Sequence, residues 1–223
     1  MAQLDRDARR RRLRRQILLS LFAALIFLLT FTPLGFIQLV FIKATVIHIP
    51  VILGSLLLGP LAGAVLGASF GLASFISNTL QPSLLSFCFS PLIPLPGLDH
   101  GHIAALLICF LPRIILGILP SVIYRPLARI LDKRKHGAAG IPPVSGLVAL
   151  VTTFLHTVMV MGLIYLLFTV QIAELKAVSL DKVPAYVLSV VVVNGVPEAI
   201  AAALVTALAY LPISRALAKH DIG

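Results

Sequence analysis

Charged side chains make up only 12 % of the 223 residues, tryptophan is absent and cysteine occurs twice. Each shortage excludes something. So few charges cannot solvate the surface of a water-soluble domain. With 59 % hydrophobic residues and a mean hydropathy of +1.06, the composition points to a bilayer. Two cysteines, Cys88 and Cys109, both in apolar surroundings, cannot build a disulfide framework and read as small buried hydrophobes. With no tryptophan and 7 % aromatics, a site that stacks a flat neutral ring is poorly supplied. No G-x-x-x-x-G-K-[ST] occurs, so any ATP-driven work falls to a partner. H-E-x-x-H, G-x-S-x-G and paired intramembrane carboxylates are missing too, which leaves no recognisable enzyme. No internal repeat supports the inverted-repeat design of secondary transporters.

What the chain does have is apolar sequence in lengths of membrane spans. Its size suits about six spans of roughly 20 residues. The expected fold is therefore all-α: one integral membrane domain of six helices, at about 17–32, 46–58, 61–80, 103–124, 144–168 and 183–211. Residues 1–15 carry seven arginines without interleaved aromatics and lead into a span. That pattern fits anionic lipid and the positive-inside rule rather than nucleic acid. No A-x-A site follows the first apolar run, so a cleaved signal peptide is not expected. Fourteen basic residues fall in the segments assigned inside, against Lys43, Lys176 and Lys182 outside. Both termini are accordingly expected in the cytoplasm. Residues 35–45 read as an apolar loop or half-helix at the outer face, and 81–101 as an outer loop and candidate lid. Further connections are expected at 125–143 inside and 169–182 outside.

Residues 43–71 organise the rest. A cation, a hydroxyl and an imidazole (Lys43, Thr45, His48) precede an apolar run that breaks at Gly59-Pro60. Glycine then recurs every fourth residue at Gly59, Gly63, Gly67 and Gly71. A four-residue step drifts about 40° around a helix, so these glycines form a ridge that a second backbone can approach closely.

Polar groups also gather at one depth. At 1.5 Å per helical residue, Arg113 lies about 15 Å below the outer boundary, Asn194 and Glu198 about 17–23 Å down, and His156 about 18 Å up from the inner side. Charges at that depth face the bundle interior and find partners. An Arg113–Glu198 ion pair is one expectation; a ligand site using the surplus donors and acceptors is the other. Asn78 reads as a helix cap or a site residue. Asp99, His100 and His102 lack the second ligand cluster a closed metal site needs, so no metal is expected.

The stretch H-I-P-V-I-L-G-S-L-L-L-G-P-L-A-G-A-V-L-G, His48 to Gly67, resembles the substrate-binding components of energy-coupling-factor (ECF) vitamin transporters. Within that family the pantothenate and riboflavin members are the most similar. Two later segments carry the likeness further. Asn194 to Ile200 reads N-G-V-P-E-A-I, as in the family. His156-Thr157-Val158 stands where the family often has N-T-V. The resemblance implies a six-helix vitamin-capturing subunit without a cofactor, partnered by a transmembrane coupling subunit and two ATPases in the cell membrane. It also implies that Ser20 and Ala24, small and four apart, dock the coupling subunit. The family motifs point to His156, Asn194 and Glu198, and with the polar groups read above the candidate ligand set is Lys43, Thr45, His48, Asn78, Arg113, His156, Asn194 and Glu198. Its cationic bias ranks pantothenate, a small carboxylate, ahead of riboflavin or another vitamin. A non-transporting membrane scaffold, its buried polar groups purely structural, is the alternative of a different class.

Overall fold

The computed structural model describes residues 2–38, 43–132 and 141–219. Among the described residues, seven α-helices make the bundle: α1 (Ala2–Phe31), α2 (His48–Leu58), α3 (Pro60–Leu80), α4 (Ala104–Asp132), α5 (Ile141–Lys176), α6 (Val183–Val190) and α7 (Val196–Lys219). A π-helical segment, Val191–Gly195, joins α6 to α7, so the two form one continuous rod. Five stretches are long and apolar enough to cross a membrane: Arg9–Phe31, Pro60–Leu80, Ala104–Ile130, Pro143–Lys176 and Leu180–Leu217. A shorter apolar helix, α2, has only 11 residues, so the expected count of six spans is not established.

α2 is the pivot of the packing. Every residue from His48 to Leu56 is buried, and the helix touches α1, α3, α4 and α7. Around it lies one apolar core with Ile26, Ile52, Leu66, Leu116 and Val148 at its centre. A second core gathers Phe87, Ile108, Ile164, Phe168, Ile172 and Val183. The turn from α2 to α3 requires Gly59, whose φ of +91° is disfavoured for any residue with a Cβ. Arg15 Nη2 donates to the Leu58 carbonyl at 3.0 Å, tying α1 to the end of α2.

The glycine ridge packs α3 on α4, the most extensive interface in the bundle. A Cβ at Gly63 would strike the Gly117 carbonyl, and one at Gly67 the carbonyl of Arg113. Backbone meets backbone there, as small residues allow in lipid, where helix association relies on close packing. By contrast α1 is peripheral: Leu13, Ile17, Leu21 and Leu28 all point outward.

Three expected connections differ. Residues Phe36–Gln38 (β1) and Lys43–Thr45 (β2) pair as an antiparallel hairpin, with Ile37 opposite Ala44, where an apolar loop or half-helix was expected. Its extended pairing satisfies the backbone groups locally. The chain does not leave the helix at Thr169; α5 runs on to Lys176 after a break at Phe168 (φ −133°, ψ 25°). Phe168 is buried there edge-on against Phe87 at 5.8 Å, and this packing anchors the break. α4 likewise continues past Arg125 to Asp132 in spite of Pro126. The expected inner loop's Lys133, Arg134 and Lys135 lie outside the described residues, as does the Lys43 side chain.

Candidate functional site

Arg113 sits on α4 with 6 % of its surface exposed. Its guanidinium curls toward the preceding turn, where Nη1 donates to the carbonyls of Ile108 at 3.2 Å and Cys109 at 2.7 Å. Nη2 donates to Ser74 Oγ on α3 at 3.1 Å. Phe70 lies 5.0 Å and Phe89 5.2 Å from the guanidinium carbon, close enough for cation–π attraction from each ring. Nε is buried and has no hydrogen-bond partner.

The expected Arg113–Glu198 ion pair is not formed. Glu198 Oε1 instead accepts from the Thr45 backbone N–H at 2.9 Å and from Thr45 Oγ1 at 2.7 Å. The reason is local: β2 delivers two donors from one residue to the carboxylate, while the Arg113 side chain is drawn to Ser74 and its own helix. Arg113 therefore has no carboxylate partner among the described residues. A buried cation without a counter-charge is costly, and a protein keeps one where something else supplies the anion.

Other orphaned donors and acceptors accompany it. His156 on α5 has its imidazole 6.1 Å from the Phe70 ring and lies within electrostatic reach of Arg113 and His48. Its Nε2 is buried without a partner, as are His48 Nε2 and Thr153 Oγ1. His48 opens α2 and meets the Glu198 main chain. Thr152, one residue before Thr153, is spent on its own helix, donating to the Val148 carbonyl at 2.8 Å. The structure thus brings Arg113 and His156 around Phe70, and Thr45 and His48 against Glu198.

Two further expected site residues have different surroundings. Asn194 is exposed in the π-helical segment, and its side chain makes no hydrogen bond among the described residues. Asn78 is committed to protein: Nδ2 donates to the Ser74 carbonyl at 2.8 Å, and Oδ1 accepts from Ser86 Oγ at 2.7 Å. Ser20 and Ala24 are both exposed on α1. His102 Nδ1 accepts from the Ala104 N–H at 3.1 Å and so caps α4, while Asp99 and His100 are exposed. Phe70 and Ser74 were not singled out in the sequence, whereas Phe89 was, as an aromatic that the loop could fold over a ligand. Phe70 and Ser74 are four apart on α3 and line the same side as the glycine ridge, which is the signal that could have found them. Arg113 lines neither the groove of about 340 Å³ among Arg9, Arg10, Arg12, Leu13 and Gln16 nor that of about 270 Å³ beside Leu111, Pro112, Met159 and Gly162.

The described residues thus bury a guanidinium without a carboxylate partner and, beside it, imidazole nitrogens without hydrogen-bond partners. The profile described as "ECF transporter, substrate-specific component" matches residues 14–210, and the chain belongs to that family. It is also similar to the "Pantothenic acid transporter PanT" of Lactococcus lactis subsp. cremoris (strain MG1363). The two are 40 % identical over 127 residues, which is 57 % of this chain and 59 % of that protein. The match therefore spans less than two thirds of the relative's length.

Proposed function

We propose that this chain captures pantothenate for an ECF-type importer, with the ligand carboxylate serving as the counter-ion of Arg113. The carrying observation is the buried guanidinium with no carboxylate of its own, its Nε–H unspent. His156 and His48 offer further unpaired ring nitrogens for the amide and hydroxyls of such a ligand, with Thr153 beside His156 on α5. Similarity to a relative named for pantothenic acid supports the same choice. Riboflavin, neutral and flat, would leave the cation without its anion.

In this reading α2 is the sixth, short span, both termini are cytoplasmic, and the hairpin and outer loop 81–101 face outward. Energy comes from a complex with a transmembrane coupling subunit and two ATPases. The coupling subunit docks on α1 at Ser20 and Ala24, where exposed small side chains allow close approach of a second helix. Lys43 adds a cation on the hairpin, and Asn194 a polar group one helical turn before Glu198.

The test is ligand chemistry on the purified protein. Mass spectrometry of extracted small molecules should find pantothenate. Added pantothenate at about 100 times its dissociation constant should stabilise the fold by about 2.7 kcal/mol, read as a raised melting temperature. Stabilisation by riboflavin but not pantothenate would overturn the proposal, and stabilisation by neither would favour a scaffold.

A further inference from the structure

We infer that Ser74, braced by Asn78, is a positioning residue that turns the Arg113 guanidinium so that its Nε side faces the ligand carboxylate. The inference rests on the anion-site reading above and adds to it the residues that set the geometry.

A guanidinium has five N–H donors in one plane. Here Nη1 spends its two on the Ile108 and Cys109 carbonyls, and Nη2 spends one on Ser74 Oγ. What remains is Nε–H and one N–H of Nη2. Those two nitrogens make up the side-on fork that matches the two oxygens of a carboxylate. Phe70 and Phe89 limit tilting of the plane. Rotation within the plane is limited at one end by the α4 carbonyls and at the other, among the described residues, by Ser74.

Ser74 is itself held. Asn78 Nδ2 donates to its carbonyl at 2.8 Å and lies 3.3 Å from its Oγ, while Asn78 Oδ1 accepts from the fully buried Ser86 at 2.7 Å. Ser86 Oγ also accepts from the Ser83 N–H at 2.8 Å. Phe89 lies three residues beyond Ser86. The short turn Ser86–Cys88 and the residue after it thus reach the guanidinium twice, once through Phe89 and once through the Ser86–Asn78–Ser74 chain. Asn78, with both ends of its amide engaged, acts through Ser74 and does not touch the ligand.

The experiment compares pantothenate with its analogue in which a primary alcohol replaces the carboxylate, by calorimetry on the full-length protein. Both ligands share the amide and hydroxyls, so their affinity ratio reports the carboxylate contact alone. The intact protein should favour pantothenate by about 100-fold. Ser74→Ala should cut that ratio by about tenfold through weaker pantothenate binding only, and Ser74→Thr, which keeps the hydroxyl, should restore it. Asn78→Ala should move the ratio the same way by a smaller factor, and it carries the test if Ser74→Ala does not fold. Equal weakening of both ligands, or an unchanged ratio, overturns the positioning role. Arg113→Gln, which removes the charge, separates the two readings. If the ratio survives that change, the anion site itself is wrong. If it collapses while Ser74→Ala and Asn78→Ala leave it intact, only the positioning inference falls.

Discussion

Pro112 has no amide N–H to give the Ile108 carbonyl four residues before it, and Arg113 Nη1 donates to that carbonyl at 3.2 Å. A proline inside a membrane helix normally leaves such a carbonyl to neighbouring side chains or water. Here the vacancy is filled by the next residue in the chain, and filling it draws the guanidinium back along α4 toward Ser74. Sequence adjacency of proline and arginine therefore helps set where the charge points.

Restoring the backbone donor should loosen that arrangement. Pro112→Ala gives Ile108 its helical partner and makes Nη1 compete for the carbonyl, with Cys109 retained. Pantothenate affinity should fall by about threefold to tenfold, while thermal stability holds or rises. Calorimetry beside a melting curve checks both, and unchanged affinity would detach the Ile108 contact from ligand binding.

Glu198 accepts both of its observed hydrogen bonds on one oxygen and faces no cation among the described residues. Glu198→Gln keeps an oxygen acceptor and should cost less than about 1 kcal/mol, whereas Glu198→Ala strands two Thr45 donors and should cost about 1–3 kcal/mol. A large loss on the glutamine change would mean that the negative charge itself is needed, as in an ion pair.

The Gly63–Gly117 contact has no room for a side chain. Gly117→Val forces α3 and α4 apart, and a loss of about 3 kcal/mol or a failure to purify as a monodisperse species is expected. Gly162, which has nothing within 4 Å of a built Cβ, serves as the control, and Gly162→Ala should be silent. Equal behaviour of the two would remove close backbone approach as the reason for the ridge.

Docking and capture should separate. Ala24→Phe or Ser20→Phe on the exposed side of α1 should abolish uptake in cells and leave the pantothenate dissociation constant of the purified subunit within about twofold. Joint loss of both activities would place these residues inside the subunit's own fold rather than at a partner.

Single cysteines at Arg129, near the end of α4, and Lys176, at the end of α5, should react with membrane-impermeant reagent from opposite faces. Labelling of both from the same face would break the topology with cytoplasmic termini.

Membrane residence and the presence of several long apolar helices were legible in the sequence, because hydropathy is a property of each segment by itself. The α3–α4 contact was legible for a similar reason. A four-residue glycine ridge removes side-chain bulk from one helix face whatever it meets, and only its partner, the Gly117 and Arg113 stretch of α4, had to be learned. The pairing of polar groups was not legible. Depth along a helix puts Arg113 and Glu198 in the same layer, but depth does not say which way a side chain turns around the helix axis. That angle was decided by packing: β2 presents Thr45 to Glu198, Ser74 and the Ile108 carbonyl claim Arg113, and the π-helical segment accompanies an exposed Asn194. The break at Phe168 and the helix beyond it depend likewise on Phe87, some 80 residues earlier, which no local pattern around Thr169 could reveal. Local chemistry determined where this protein lives and what its surfaces tolerate, and three-dimensional packing alone decided which buried charge is left without a carboxylate partner among the described residues.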